Sequence, residues 1–394
     1  MKLTNDNPPS HSDVVIIGGG VIGSVTAYNL AKSGIQVVVV DKQDIAAGTS
    51  SAAAAAALLQ TKTSATKLSI ANESLTLLDQ LHQELDQGFE YEHSGSLLAA
   101  TSEAEMSLVS EMSQKLQRLG LEVELLDAKQ VKQMMPILGD HVLGGSYSST
   151  DAQINPLEFV VACAKAAKQR GAFFSTYNEV IGIEVKGDKI DAVVTKKGRI
   201  LTNTIINAAG VWATNVAKMA GLSLSISPLK GQLLVTERMP PLMKGTLIAA
   251  SYLLSKSAAE GKDAQRPAQM TVGITLVQLK HGNFIVGSTR EHSEFERGNS
   301  IDGICALSAQ LLYLVPSLGN VNLLRAYAGL RPLSKDGFPI IGRDRALPGF
   351  IHAVGFGGDG LAMSAIAAKA ILGILTDSIE HRYLELFDPN RLCN

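Results

Sequence analysis

Short apolar runs that stop at glycine set the pattern of this chain. Val14 to Ile17 is an unbroken β-branched run after Asp13 and predicts a buried strand. It passes directly into Gly18-Gly-Gly-Val-Ile-Gly23, and from Ser24 to Lys32 the apolar positions take helical spacing until Ser33-Gly34 stops them. Ile35 to Val40 is a second β-branched run, ending at Asp41. Strand, glycine turn, helix and strand make a βαβ unit, which predicts a parallel sheet. Between residues 180 and 206, short alternating runs turn at Lys186-Gly-Asp188 and Lys196-Lys-Gly198, the pattern of a β-meander, and the chain then reads Thr204-Ile-Ile-Asn-Ala-Ala-Gly-Val-Trp212. Near the end, a strand at Ile351–Val354 meets Gly355-Phe-Gly-Gly-Asp-Gly360, with a helix expected over Leu361–Leu375.

The first glycine cluster fits G-x-G-x-x-G, and each part has a physical task. Gly18 permits the tight turn, Gly20 lets an anion approach the backbone, and Gly23 lets helix and strand pack closely. The helix N-terminus, including Val21 and Ile22, offers free N–H groups and about +0.5 charge to a pyrophosphate. Asp41, followed by Lys42, stands where a carboxylate accepts hydrogen bonds from ribose hydroxyls and disfavours a 2′-phosphate. A glycine-rich turn that binds nothing is the bland alternative. The agreement of strand, helix, second strand and acid favours a dinucleotide, but this unit alone does not separate FAD from NAD.

Gly48-Thr-Ser-Ser51 precedes six alanines, Ala52 to Ala57. Thr49 or Ser50 could cap a helix through the alanines, or the segment could form a second cradle on the same nucleotide. Gly357, Gly358, Gly360 and Leu361 form a further glycine loop at a helix start.

Composition narrows the classes. The chain has 394 residues, 46% hydrophobic and 18% charged, which excludes a disordered chain and suggests two to three domains' worth of polypeptide. The formal charge of −2 gives no bulk attraction for nucleic acid or an anionic membrane. The three cysteines, Cys163, Cys305 and Cys393, form no CxxC pair, and the eight histidines show no HExxH spacing, so neither a disulfide framework nor a metal site is expected. Met1 to Ser10 lacks an apolar core and does not read as a secretory signal. No apolar run approaches the ~20 residues needed to span a bilayer. The expected location is the cytoplasm, with peripheral contact at the inner membrane as the alternative.

Gly18–Gly23 with Asp41, Gly48-Thr-Ser50, Asn207–Trp212 (with Ala208, Gly210 and Trp212) and Ala328-Gly-Leu-Arg-Pro332 through Asp336-Gly-Phe-Pro-Ile-Ile-Gly342 together resemble the FAD-dependent D-amino-acid oxidase-like family over nearly the whole chain. The stretch Gly282–Glu291 is most similar to dye-linked dehydrogenases and heteromeric oxidases acting on proline, hydroxyproline, opines or glycine. The resemblance implies an α/β fold: a Rossmann-like FAD-binding domain from residues 1–90, 150–228 and 325–394, and an α+β substrate domain on an antiparallel sheet from 91–149 and 229–324. It implies that Val180 meets the adenine through its backbone and that the loop after Gly355 runs along the flavin. Both histidines of the family's Gly-His-Gly-Gly-His-Gly loop are replaced here, by Phe356 and Asp359, and the Arg325-Ala-Tyr327 neighbourhood has no cysteine, so non-covalent FAD is expected.

The activity so implied is oxidation of an amino or imino acid to the imine, with hydride transfer to the flavin. Arg331 matches the family's carboxylate-binding arginine, and its fork suits a carboxylate; the structural alternative is an ion pair with Asp336. Tyr252 and Tyr327 are further catalytic candidates, each equally well read as packing. Arg290 and His292 read as solvated strand-end residues. Two alternatives stand beside this activity: an FAD-holding subunit that passes electrons within a heteromeric complex and is inactive alone, and an NAD dehydrogenase, which accounts only for the first βαβ unit.

Overall fold

The computed structural model describes residues 7–51, 56–62, 64–86, 88–254 and 270–392. Among these residues a six-stranded sheet runs in the order Ile340–Arg343, Phe350–Val354, Ile205–Asn207, Val14–Ile17, Val37–Val40, Phe173–Ser175. All pairings are parallel except that of the Ile340–Arg343 edge strand.

The unbroken β-branched runs follow from burial on both faces. Val14 and Ile16 pack with the helices Val21–Lys32, Pro156–Gln169 and Ser364–Leu375. Val15, Ile17, Val38 and Val40 pack on the opposite face against the antiparallel meander Val180–Lys186, Lys189–Thr195, Gly198–Leu201 and the helix Ala213–Met219. Every residue of the first two strands is buried.

The second large sheet runs Leu323–Leu333, Ser227–Arg238, Asn283–His292, Thr271–Gln278, Thr246–Ala249, Ser96–Ala100, Gly144–Ser148, Glu124–Asp127. It is antiparallel except where Thr246–Ala249 meets Ser96–Ala100. The helix Ile301–Leu314 packs its Leu307, Leu311 and Leu314 into this sheet's core. Leu323–Leu333 pairs with Ser227–Arg238 from Ser227↔Leu333 to Thr236↔Leu323, so a division at residue 325 would cut through a strand of the antiparallel sheet. The chain leaves that sheet after Leu333 and enters the parallel sheet at Ile340. Among the described residues no helix is long and apolar enough to cross a membrane.

The glycine turn is where sheet and helix touch. Gly18 has φ +115°, and a Cβ there would lie within 2.8 Å of the Ala208 carbonyl carbon. At Gly23 a Cβ would fall onto the Gly18 carbonyl oxygen. Helix start and strand end are therefore in backbone contact, and the helix begins at Val21, inside the motif. Gly23→Ala should force the helix off the sheet and cost about 2 kcal/mol or more of unfolding free energy. Chemical denaturation of the FAD-free chain would show a lowered midpoint; an unchanged midpoint would contradict this packing.

Candidate functional site

A cavity opens at the C-terminal ends of the parallel strands, beside the first strand and its Ile205–Asn207 neighbour. Strand order reverses there, the usual place for a ligand in a doubly wound sheet. Ile17, Gly18, Gly20, Val21 and Ile22 line it, with no acidic residue in the first helical turn and no side chain capping Gly20. Ser51 Oγ accepts from Val21 N at 3.0 Å. Gly23 does not line the cavity; its part is the backbone contact described above.

Asp41 accepts from Gly19 N at 2.6 Å and from Gln43 N at 2.8 Å, so the acid at the end of the second strand also clamps the glycine turn. Burial lifts its carboxyl above the ordinary value, against the opposing pull of those two donors. Lys42 lies 3.6 Å from the Trp212 ring centroid, and burial lowers its pKa. Both line the cavity, as do Val180, Ala208 and Gly210; Asn178, Glu179, Asn215 and Met219, not singled out from sequence, complete this end.

Gly48, Thr49 and Ser50 form the next part of the wall. The hydroxyls of Thr49 and Ser50 reach the antiparallel sheet. Thr49 Oγ1 accepts from Leu330 N at 2.6 Å and Ser50 Oγ donates to Leu330 O, so both backbone groups of one residue on the Leu323–Leu333 edge strand are taken. Of the alanine run, residues 52–55 lie outside the described residues. Ala56–Ala57 is a strand paired with Ala152 and Gln153 in a small sheet of three strands.

The remaining wall is nearly bare of side chains: Gly231, Gly329, Gly357, Gly358 and Gly360, with Leu361, Phe356 and Arg331. Gly355 and Gly357 have φ +78° and +55°, a backbone that favours glycine, and the helix expected from Leu361 starts at Ser364. Arg331 donates to Ser288 Oγ and, at 3.4 Å, to Thr289 O. The expected alternative partner, Asp336, is held instead by Arg391 at 2.8 Å.

One sequence reading needs correction, that of Arg290, and two catalytic candidates lie outside the lining of the cavity. Tyr327 does not line the cavity; it stands four residues before Arg331, about 13 Å along a strand. Tyr252 is also absent from the lining, and its ring lies 4.5 Å from Arg290 Cζ. Arg290 is buried at 4% exposure rather than solvated, while His292 is exposed. In the extended strand Asn283–His292, two residues apart is enough to separate a sheet interior from its end.

An ion pair that sequence reasoning missed backs the glycine loop. Lys62, its side chain 3% exposed, meets Asp359 at 2.6 Å across 297 residues of sequence. Asp359 is thus a replacement with a partner. Beside it, fully buried Asp151 accepts from Leu59 N at 2.7 Å and from Ser96 Oγ at 2.6 Å. Burial pushes its pKa up to about 6, although these donors and Lys62 pull it down. Among the described residues no cluster of three or more His, Cys, Asp or Glu is placed to hold a metal ion.

These features fit a flavin dinucleotide. The helix N-terminus without an acidic residue suits the pyrophosphate, Asp41 suits ribose hydroxyls, and the glycine-lined wall admits a flat ring system. Fold and site together define a dinucleotide-binding enzyme of the doubly wound α/β class. Residues 13–372 match the DAO family, FAD dependent oxidoreductase, and the chain belongs to that family; FAD is its cofactor and it is an oxidoreductase. It is 28% identical to hydrogen cyanide synthase subunit HcnC of Pseudomonas aeruginosa, over 94% of this chain and 92% of that protein. It is 27% identical to the glycine oxidase of Geobacillus kaustophilus, over 95% and 94% respectively. The crystal structure of L-proline dehydrogenase from P. horikoshii superposes with a TM-score of 0.86 at 26% identity, covering 98% of each chain.

Two predictions follow from the charges behind the loop. Asp359→Asn leaves the Lys62 ammonium buried without its partner and should cost about 3 kcal/mol of stability; Lys62→Met combined with Asp359→Leu should recover most of it. Denaturant titrations of the three proteins measure both quantities. For Asp151, the folded carboxyl holds its proton to about pH 6 while the unfolded one releases it near 3.8. Over that interval the folded state binds more protons, so unfolding free energy falls as pH rises from about 4 to 6. Asp151→Asn should remove this portion of the decline, and identical pH profiles for the two proteins would refute it.

Proposed function

We propose that this protein oxidises an amino or imino acid, of the glycine, D-amino acid, proline or opine kind, to the corresponding imine. The observation that carries the reading is the position of Arg331, a guanidinium on the glycine-lined wall of the cavity that also contains the dinucleotide features. The names of two relatives, a glycine oxidase and an L-proline dehydrogenase, support the substrate class.

When bound, the flavin supplies a hydride acceptor at N5. The chain supplies binding and orientation. The N–H groups at Gly20–Ile22 hold the pyrophosphate, Asp41 the ribose, and Val180 the adenine through its backbone. Lys42, Trp212, Ala208 and Gly210 enclose the nucleotide end, and Gly48–Ser50 with Gly357, Gly358, Gly360 and Leu361 enclose the ring system. The reading takes FAD as held without a covalent bond, and a cavity lining without cysteine among the described residues is consistent with that. Arg331 grips the substrate carboxylate through its fork, which fixes Cα and its hydrogen toward the ring. The substrate must present an unprotonated nitrogen, whose lone pair forms the C=N bond as the Cα hydride leaves; the nitrogen proton passes to water, and water then hydrolyses the imine. In this reading the parallel sheet and its helices are the FAD-binding domain, and the eight-stranded sheet carries the substrate side.

A second reading, an FAD-holding subunit that passes electrons within a heteromeric complex, draws on the similarity to a hydrogen cyanide synthase subunit. One experiment separates the two. The purified chain loaded with FAD is mixed anaerobically with glycine, sarcosine, D-amino acids, proline isomers and opines, and flavin bleaching is followed. Bleaching by the single chain supports catalysis; no bleaching with any of them supports the subunit. Arg331→Ala should raise the concentration of the best substrate needed for half-maximal bleaching by about 100-fold. An unchanged value would remove Arg331 from the site.

A further inference from the structure

Gly231 lies in the strand Ser227–Arg238, directly opposite Gly329 of the strand Leu323–Leu333, and both line the cavity. The backbone at Gly231 does not need glycine, since its φ lies outside the left-handed range. Space does. A Cβ on Gly231 would stand 2.5 Å from Arg331 Nη1, 2.6 Å from Nη2 and 2.8 Å from Cζ. The guanidinium therefore occupies the volume that any other residue's side chain would fill. Ser288 Oγ and Thr289 O accept its hydrogen bonds from the neighbouring strand Asn283–His292.

We infer that Gly231 is a positioning residue whose bare Cα seats the Arg331 guanidinium, so that its fork meets a substrate carboxylate. This rests on the carboxylate-binding role given to Arg331 above. The atoms in conflict are the far end of a flexible side chain, not backbone. A methyl group at residue 231 therefore displaces the guanidinium and leaves the sheet in place. The effect belongs to the fork of the guanidinium: a lysine at 331 places Nζ where Cζ stands but lacks Nη1 and Nη2, the two atoms nearest a Cβ on Gly231.

The test uses FAD-loaded protein, with acetate as the carboxylate probe, acetamide as the neutral control, and flavin difference absorbance as the readout. Four variants are compared with the natural chain: Gly231→Ala, Arg331→Lys, Arg331→Ala, and Gly231→Ala combined with Arg331→Lys. Gly231→Ala should raise the acetate dissociation constant about 10-fold while FAD content and thermal midpoint stay at the starting values. In the Arg331→Lys background the same substitution should change acetate binding less than about 2-fold, a non-additivity that a general packing defect would not produce. Acetamide binding should be indifferent to all four. If Gly231→Ala leaves acetate affinity unchanged while Arg331→Ala weakens it, the seat is refuted and the carboxylate role of Arg331 stands. If Arg331→Ala itself leaves acetate affinity unchanged, that role fails and the seat fails with it. A Gly231→Ala chain that does not fold or loses FAD also overturns the inference, because the backbone rather than the guanidinium would then have yielded.

Discussion

Backbone against backbone, Gly23 over the carbonyl of Gly18, is the contact on which the rest of the site depends. It lets the first helix begin at Val21, at the mouth of the cavity, instead of a turn further away. The same turn pushes Gly18 against Ala208, so the end of the Ile205–Asn207 strand is brought to the same point. Asp41 then secures the turn by accepting from Gly19 N. An anion placed there meets the positive end of the helix, with no acidic side chain in the first turn to compete.

Two sheets line the cavity, and short polar contacts tie one to the other. Thr49 and Ser50 hold Leu330 by both of its backbone groups, at the edge of the antiparallel sheet. An edge strand with free N–H and C=O groups would otherwise invite pairing with another chain. One residue further along the same strand is Arg331, so the contact that closes the edge also fixes the register at which the guanidinium enters the cavity. Lys62 and Asp359 make a comparable tie behind the glycine loop, at low exposure.

How much of this the sequence disclosed depends on how far apart the cooperating residues lie. The first βαβ unit was readable because strand, turn, helix and acid sit within about forty residues, and each leaves a local signature of periodicity or glycine. The meander after Val180 was readable for the same reason. Arg331 was legible through its motif, and the structure places it on the cavity wall. The Lys62–Asp359 pair spans 297 residues and has no periodicity to betray it. Thr49 and Ser50 look like helix caps because capping and long-range hydrogen bonding use the same side chains. Arg290 looked solvated because charge usually predicts exposure, yet its guanidinium packs over the Tyr252 ring. Tyr327 stands four residues before Arg331 on the same strand, outside the lining of the cavity.

The polarity of the wall explains why so little catalytic machinery was found. Among the described residues lining the cavity, the titratable side chains are Asp41, Lys42, Glu179 and Arg331. Asp41 is engaged by backbone N–H groups, Lys42 lies over Trp212, and Glu179 pairs with Lys196 at 2.6 Å. These three belong to the nucleotide end. Arg331 stands on the glycine-rich wall away from them, and a guanidinium cannot act as a base at ordinary pH. No histidine, tyrosine or cysteine joins that lining. Among the described lining residues, these side chains suit placing a substrate and holding its charge. In the proposed reaction the bond-breaking capacity comes from the cofactor, and the protein's share of the rate is orientation by these bare walls.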